Sequence, residues 1–245
     1  MNTNRRDFLR ALLAAGALGS LGRESQAQPK PGGPKRGPNA PAQIRQIALG
    51  LLLDPDTPAG RGMRLGLEEA QHAGQLLHRN FVAAPTSEFA LIGIDPPKVE
   101  TRALFLQAAP SQVSPAPAWN VTSSPAFREQ ALARHLDRKD LRVTDWHSGL
   151  MKFGAEELNV RFRRRFHQEM DERAWHGWIA VKCAVEIALR YPGGDPKEKI
   201  AVLRLDGHKG MMLRFDLQDR HLVQPVYLVD AKGKMVEAVE PEWKE

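Results

Sequence analysis

The feature that most limits the fold is a seven-residue apolar run, Ile47-Ala48-Leu49-Gly50-Leu51-Leu52-Leu53, cut off by Asp54-Pro55-Asp56-Thr57-Pro58-Ala59-Gly60. A run without polar alternation suits a strand buried on both faces, as in a parallel sheet. Parallel strands need a crossover, and the next residues supply one. Met63, Leu67 and Ala70 recur on one helical face, and Ala73-Gly74 offers a stop. Short apolar runs follow near 81–84, 90–94 and 103–107. Strand, helix and strand in this order predict an α/β fold, a parallel sheet covered by helices.

Farther on, residues 109–124 are rich in Pro, Ser and Ala and read as loop. Ser124-Pro125 caps a helix expected to run to about Leu136, with proline at its first position. Leu158, Phe162 and Phe166 mark a helix over 154–170; Trp175, Ile179, Lys182, Val185 and Leu189 mark another, ended by Tyr191-Pro192-Gly193-Gly194. The last third changes period. Residues 211–216, 222–229 and 235–239 read as strands, with turns at Gln218-Asp219 and Lys232-Gly233.

The N-terminus reads as an export signal rather than as part of the fold. Arg5-Arg6-Asp7-Phe8-Leu9 has the form of a twin-arginine signal. The apolar stretch from Ala11 to Leu21 is shorter than the roughly 20 residues that span a bilayer. Ser25-Gln26-Ala27 offers a cleavage site. The expected organisation is a signal over 1–27, a Pro/Gly-rich flexible linker over 28–45, and one α/β body over 46–245 acting in the periplasm. A cytosolic amphipathic helix and an uncleaved anchor are the alternatives for the first segment.

The net charge of +6 suggests nucleic acid until it is divided. The first 45 residues hold eight basic side chains and two acidic ones, which leaves 27 of each sign in the body. A neutral body gives no electrostatic footprint for nucleic acid. The single cysteine, Cys183, excludes an intrachain disulfide and falls in an apolar-periodic helix, where a buried, inert thiol is expected.

Ligands of open α/β sheets sit beyond the carboxyl ends of the strands. Two stretches fall there: Asp56-Thr57-Pro58-Ala59-Gly60-Arg61, and Ala109-Pro110-Ser111 with Asn120, Thr122 and Ser123 nearby. Thr57, Ser111 and Thr122 are candidates for hydrogen bonds to a small polar ligand, and Arg61 for an anionic group. Ordinary turn and cap chemistry uses the same residue types. Asp54 and Asp56 lack the remaining ligands of a calcium loop, so no metal is expected. Trp146-His147 places an acid–base residue beside Asp145, but no oriented nucleophile or known catalytic motif accompanies it. Arg161-Phe162-Arg163-Arg164-Arg165-Phe166 reads as a solvated helix face with inward phenylalanines, since Glu169, Asp171 and Glu172 lie in pairing range.

Several segments together resemble a known family. These are Arg61-Gly62-Met63-Arg64-Leu65-Gly66-Leu67-Glu68-Glu69-Ala70, Leu104-Phe105-Leu106-Gln107-Ala108-Ala109-Pro110-Ser111, Asp145-Trp146-His147, Phe153-Gly154-Ala155-Glu156-Glu157-Leu158-Asn159, Trp178-Ile179-Ala180-Val181-Lys182, Gly207-His208-Lys209-Gly210-Met211-Met212-Leu213-Arg214-Phe215-Asp216 and Gln224-Pro225. In this order they resemble the ABC-transporter substrate-binding proteins of the branched-chain amino-acid type. The resemblance is nearest to the branch associated with pyrroloquinoline-quinone-dependent alcohol oxidation. It implies a lobe of the type I periplasmic-binding-protein kind, a small polar ligand, no cofactor and no catalysis. It also places His147 at the ligand cleft. The implied partners are an ABC permease or a periplasmic quinoprotein dehydrogenase, with membrane contact only through them. Family members have two lobes hinged about the ligand. Here the helix ending near Leu136 is followed almost at once by Asp145-Trp146-His147, so on the order of a hundred residues of the second lobe are missing. An accessory protein docking on a quinoprotein dehydrogenase or its cytochrome is the alternative to a ligand carrier.

Overall fold

A computed structural model describes residues 44–93, 103–108 and 118–242. The expected signal, nearly all of the linker, and Ser111 lie outside the described residues. The first strand, β1 (Arg45–Leu51), leads into helix α1 (Pro58–Leu76), then β2 (Arg79–Ala84), β3 (Ala90–Gly93), β4 (Leu104–Gln107) and β5 (Trp119–Asn120). These strands form one sheet in the order β2-β1-β3-β4-β5, every pair parallel. The chain leaves β1 on one side and enters β3 on the other, so the strand order reverses between them, where such sheets open a crevice. β1 stops two residues before the apolar run does, and Leu52 is 39% exposed. The two-residue β5 falls within the stretch expected to be loop.

Alternation along β3 and β4 divides the sheet's faces. Ala90, Ile92, Leu104 and Leu106 join the main core, while Leu91 and Phe105 form a small cluster with Ala103 and Ala118. The main core is completed by α1, α3 (Ala155–Phe166) and α4 (Glu172–Arg190). The N-terminal halves of α1 and α4 touch backbone to backbone. A Cβ on Gly62 would lie 1.8 Å from the Ala174 carbonyl oxygen, and one on Gly177 would lie 2.0 Å from that of Ala59. Only hydrogen at these positions permits the approach.

One connection is unusually short. Parallel strands are normally joined by about a dozen residues or more, but β2 reaches β3 through residues 85–89 alone. That is feasible because β3 begins level with Leu49, near the end of β1. The link passes Gly50, where a Cβ would lie 3.5 Å from Ser87 Cβ and 2.3 Å from Leu91 Cδ2.

The rest of the chain is antiparallel. Helix α2 (Pro125–Ala133), β6 (Arg142–Thr144), β10 (Val226–Val229) and β11 (Met235–Val239) make the reduced second lobe, a sheet of order β11-β10-β6. Ala131 of α2 packs there with Val143, Val226, Leu228 and Val239. A third sheet joins β7 (Leu205–Asp206), β8 (Met212–Phe215) and β9 (Leu222–Val223). A one-turn helix α5 (Pro196–Lys199) and a 3-10 turn (Ile200–Val202) lie between α4 and β7. The strand expected over 222–229 is two strands, interrupted at Gln224-Pro225. Proline has no N–H to give to a ladder, and the Gln224 side chain is fully buried.

Candidate functional site

The three sheets meet around one buried carboxylate. Asp145 follows β6 directly and has no exposed surface. Its Oδ1 accepts from the Ser123 hydroxyl at 2.5 Å and from the Arg128 guanidinium at 3.1 Å; its Oδ2 accepts from the Ser123 amide at 3.0 Å and meets His176 Nε2 at 2.8 Å. Glu172 accepts from the Asp145 amide at 2.7 Å and from Arg128 at 2.9 Å. Lys209, 5% exposed, donates to the Asp145 carbonyl, to Gln224 Oε1 at 2.5 Å and to the Pro225 carbonyl at 3.2 Å. Its ammonium also sits 4.0 Å from the Trp175 ring centroid. Gln224 passes the chain on, donating to the Val121 carbonyl at 3.0 Å.

Local sequence explains each placement. Asp171 caps α4 by accepting from the Ala174 amide at 2.8 Å, which starts the helix so that Glu172 and His176 share one face four residues apart. Ser124 caps α2 with Pro125 at its first position, and this puts Arg128 one turn in. Lys209 stands between His208 and Gly210, both with positive φ, in a turn that drives its side chain inward. Around the charges, Trp146 and Trp175 stack with centroids 5.6 Å apart and planes 10° from parallel. Their indole N–H groups reach Asn159 Oδ1 and the Gly207 carbonyl.

Burial works against the charge of Asp145, but the hydrogen bond and charge of His176, with Lys209 and Arg128, outweigh it and hold the carboxyl well below the usual range. Burial pushes Lys209 down to about 7, against the pull of Asp145 and Glu172. Burial lowers Arg128 too, yet those carboxylates raise it overall. Asp145, Glu172 and His176 lie close enough to hold a metal ion. Arg128 already bridges the two carboxylates, so the protein's own cation fills that place.

The residues singled out from the sequence are not gathered at one point. Thr57 caps α1, accepting from the Gly60 amide at 3.0 Å and donating to the Asp54 carbonyl at 2.7 Å. Arg61 donates to the Asp56 carbonyl in the same loop, and its Nε is buried without a partner. Asp54 accepts from the Asp56 amide, as in a turn. Thr122 is 5% exposed beside Ser123, its hydroxyl 3.2 Å from His221 Nδ1. His147 points to the reduced lobe: Nε2 meets the Gly233 carbonyl at 2.8 Å and Nδ1 accepts from the Gly149 amide. Thus Thr122 adjoins the buried network, whereas Thr57 and Arg61 stand at the carboxyl edge of β1. Cys183 is fully buried, and burial pushes its thiol up. The arginine-rich face is solvated as expected, but of the acids expected to pair with it only Glu169 does, with Arg163; Arg161 and Arg165 pair with Glu69 and Glu68 of α1, while Asp171 caps α4 and Glu172 meets Arg128.

Sequence reasoning overlooked Arg128 and His176, which carry no motif, and set Glu172 beside the arginine-rich helix rather than beside Arg128 and Asp145. Asp145, Lys209 and Gln224 did stand inside the segments quoted for the family resemblance. Their convergence required the antiparallel sheets to be known.

No family model and no curated protein matches the chain. Solved structures do. The leucine binding protein LivK of Thermotoga maritima matches at 10% identity with a TM-score of 0.57, over 81% of this chain and 99% of that one. LivJ of Streptococcus pneumoniae, a branched-chain amino-acid transporter substrate-binding protein in complex with isoleucine, matches at 10% identity with a TM-score of 0.52, over 81% and 100%. A solute-binding protein of an ABC transporter from R. palustris, in complex with 4-hydroxybenzoate, matches at 10% with a TM-score of 0.51, over 81% and 98%. The fold is therefore that of type I periplasmic binding proteins, a parallel-sheet lobe followed by a reduced second lobe.

Proposed function

We propose that this body, built on the fold of ABC-transporter solute-binding proteins, is a periplasmic binding module for a small polar ligand and performs no chemistry. The parallel sheet carries this reading. Its order reverses between β1 and β3, and ligands of such sheets sit beyond the carboxyl ends at that point. The loop after β1, with Thr57 and Arg61, lies at this edge and supplies hydroxyl, guanidinium and helix N-terminal amides. Thr122, Ser111 and His147 complete the proposed ligand set. The proposed organisation keeps a twin-arginine signal over 1–27, cleaved near Ala27, a linker over 28–45 and the body over 46–245. Among the described residues, no helix is long and apolar enough to cross a membrane. The proposed setting is pyrroloquinoline-quinone-dependent alcohol oxidation, with an ABC permease as the membrane partner.

The second reading, an accessory protein docking on a periplasmic quinoprotein dehydrogenase or its cytochrome, draws on a different observation. The polar groups between the lobes are buried and paired with one another, so those groups are not offered to a ligand. Native mass spectrometry of protein purified gently from its own periplasm tests both. A reproducible small added mass that is lost on denaturation supports the binding module. A bare monomer, or a species seen only with a dehydrogenase subunit, overturns it and favours docking. A direct check uses L-leucine, L-isoleucine and 4-hydroxybenzoate in calorimetric titration, with Arg61→Ala expected to weaken whichever binds.

A further inference from the structure

The short link between β2 and β3 leaves one side of β1 without a partner strand. β2 pairs with β1 from Arg45 to Gly50, but β3 pairs with it only from Leu49 to Leu51. Arg45 donates its amide toward β2 and Leu52 toward β3. Strand alternation therefore aims the amides of Gln46 and Ala48 at the β3 side. Among the described residues no strand stands there. The Ala48 carbonyl, at the first rung of the β3 ladder, also takes the Ser87 hydroxyl at 2.9 Å.

A cavity of about 550 Å³ occupies the place of the missing half-strand. Residues 45–48 form one wall and residues 86–89 the other. Ile187, Ala188 and Tyr191, at the end of α4, supply an apolar floor. Arg45 and Lys199 set two positive charges among the lining residues against the one carboxylate of Glu88. This cavity lies at the amino end of β1, opposite the edge assigned above to the small ligand.

An unpaired strand edge beside an apolar floor has the features by which proteins take up an extended peptide, the backbone giving affinity and alternate side chains specificity. We propose that this cavity accepts a short extended peptide segment of another protein, which adds as a strand beside residues 45–48. One of its apolar side chains faces Ile187 and Tyr191, and an acidic or C-terminal carboxylate meets Arg45 and Lys199. A small molecule in the same cavity is a different outcome, which the test separates.

Amide hydrogen exchange of the full body, read residue by residue by NMR, supplies the first test. In the free protein Gln46 and Ala48 exchange at least tenfold faster than Ile47 and Leu49, whose amides face β2. Equal protection at all four shows an occupied edge and overturns the proposal. The second test adds a pool of N-acetylated pentapeptides with Val, Ile, Leu or Phe at two alternating positions and a free C-terminal glutamate. Binding slows exchange at Gln46 and Ala48. It is lost when alternate peptide amides are N-methylated, and is weakened about tenfold or more by Lys199→Glu. No protection from any pool at millimolar concentration overturns strand addition. Binding that survives N-methylation also overturns it and identifies a side-chain or small-molecule pocket. Lys199 is only partly buried on the one-turn helix, so its variant keeps the test open if Ala48→Pro, the direct block of an edge amide, does not fold.

Discussion

At the scale of single residues, Asp145 is the most consequential side chain in the body. It is an ionised group with no solvent contact, held by Ser123, Arg128 and His176. Removing one partner of a buried charge set leaves the others uncompensated, which costs about 3–5 kcal/mol. Asp145→Asn is therefore expected to lower stability by that amount in urea titration, while Asp54→Asn, at an exposed turn, changes it by less than about 0.5 kcal/mol. Lys209 gives a pH signature. Its folded pKa of about 7 lies below its ordinary 10.5, so the unfolded chain binds the extra proton between those values. Its contribution to stability then rises with pH from about 7 toward 10.5. Asp145 has the same sign in a lower window, its stabilisation being present above its ordinary 3.8 and lost as pH falls below it. The melting temperature of wild type should rise relative to that of Lys209→Met as pH goes from about 7 to about 10; a constant or falling difference would contradict the shifted lysine. Thr57→Ala removes a helix cap and should cost about 1 kcal/mol. A larger loss of ligand affinity than of stability would place Thr57 in contact with ligand.

At the scale of elements, the glycine seam between α1 and α4 makes a sharp prediction. Gly62→Val and Gly177→Val each drive a side chain into a facing carbonyl. Overpacking of this kind costs about 1–3 kcal/mol, which lowers the melting temperature by roughly 2–4 °C per kcal/mol in a body of this size. Gly193→Ala, in a turn with open space around it, is limited to the strain of its positive φ. The helices were legible in the sequence because their cues are local: Ser124-Pro125 announces α2, and the spacing of Leu158 and Phe162 announces α3. The elements that escaped were short and long-range. β6 is three residues and β5 two, and both exist only because distant strands or side chains meet them. At Gln224-Pro225 the proline that breaks the strand was visible in the sequence, but the buried bond of Gln224 to Lys209, from another turn, was not. The candidate residues chosen by type, Thr57 and Arg61, proved to hold local turn contacts, whereas the charged network gathers Asp145 after β6, Lys209 from a turn, and Arg128, Glu172 and His176 from α2 and α4.

At the scale of the whole body, the reduced lobe is tied to the main lobe by charge rather than by a bare hinge. Asp145 and Pro225 belong to one side, His176 and Trp175 to the other, and Lys209 bonds or touches groups on both. Ligand addition is therefore expected to leave the radius of gyration unchanged in small-angle scattering; a measurable contraction would show that the lobes close despite these ties.

The stacked Trp146 and Trp175 rings give that question an optical answer. One indole follows β6 and the other rides on α4, and both rings pack nearly face to face in the main core, so the pair ties the end of a reduced-lobe strand to that core. Two chromophores in this arrangement couple their transitions and produce a signed circular-dichroism couplet that depends on their mutual angle. The native body thus carries its own label-free goniometer, able to register a few degrees of rotation between lobes during folding, titration or docking.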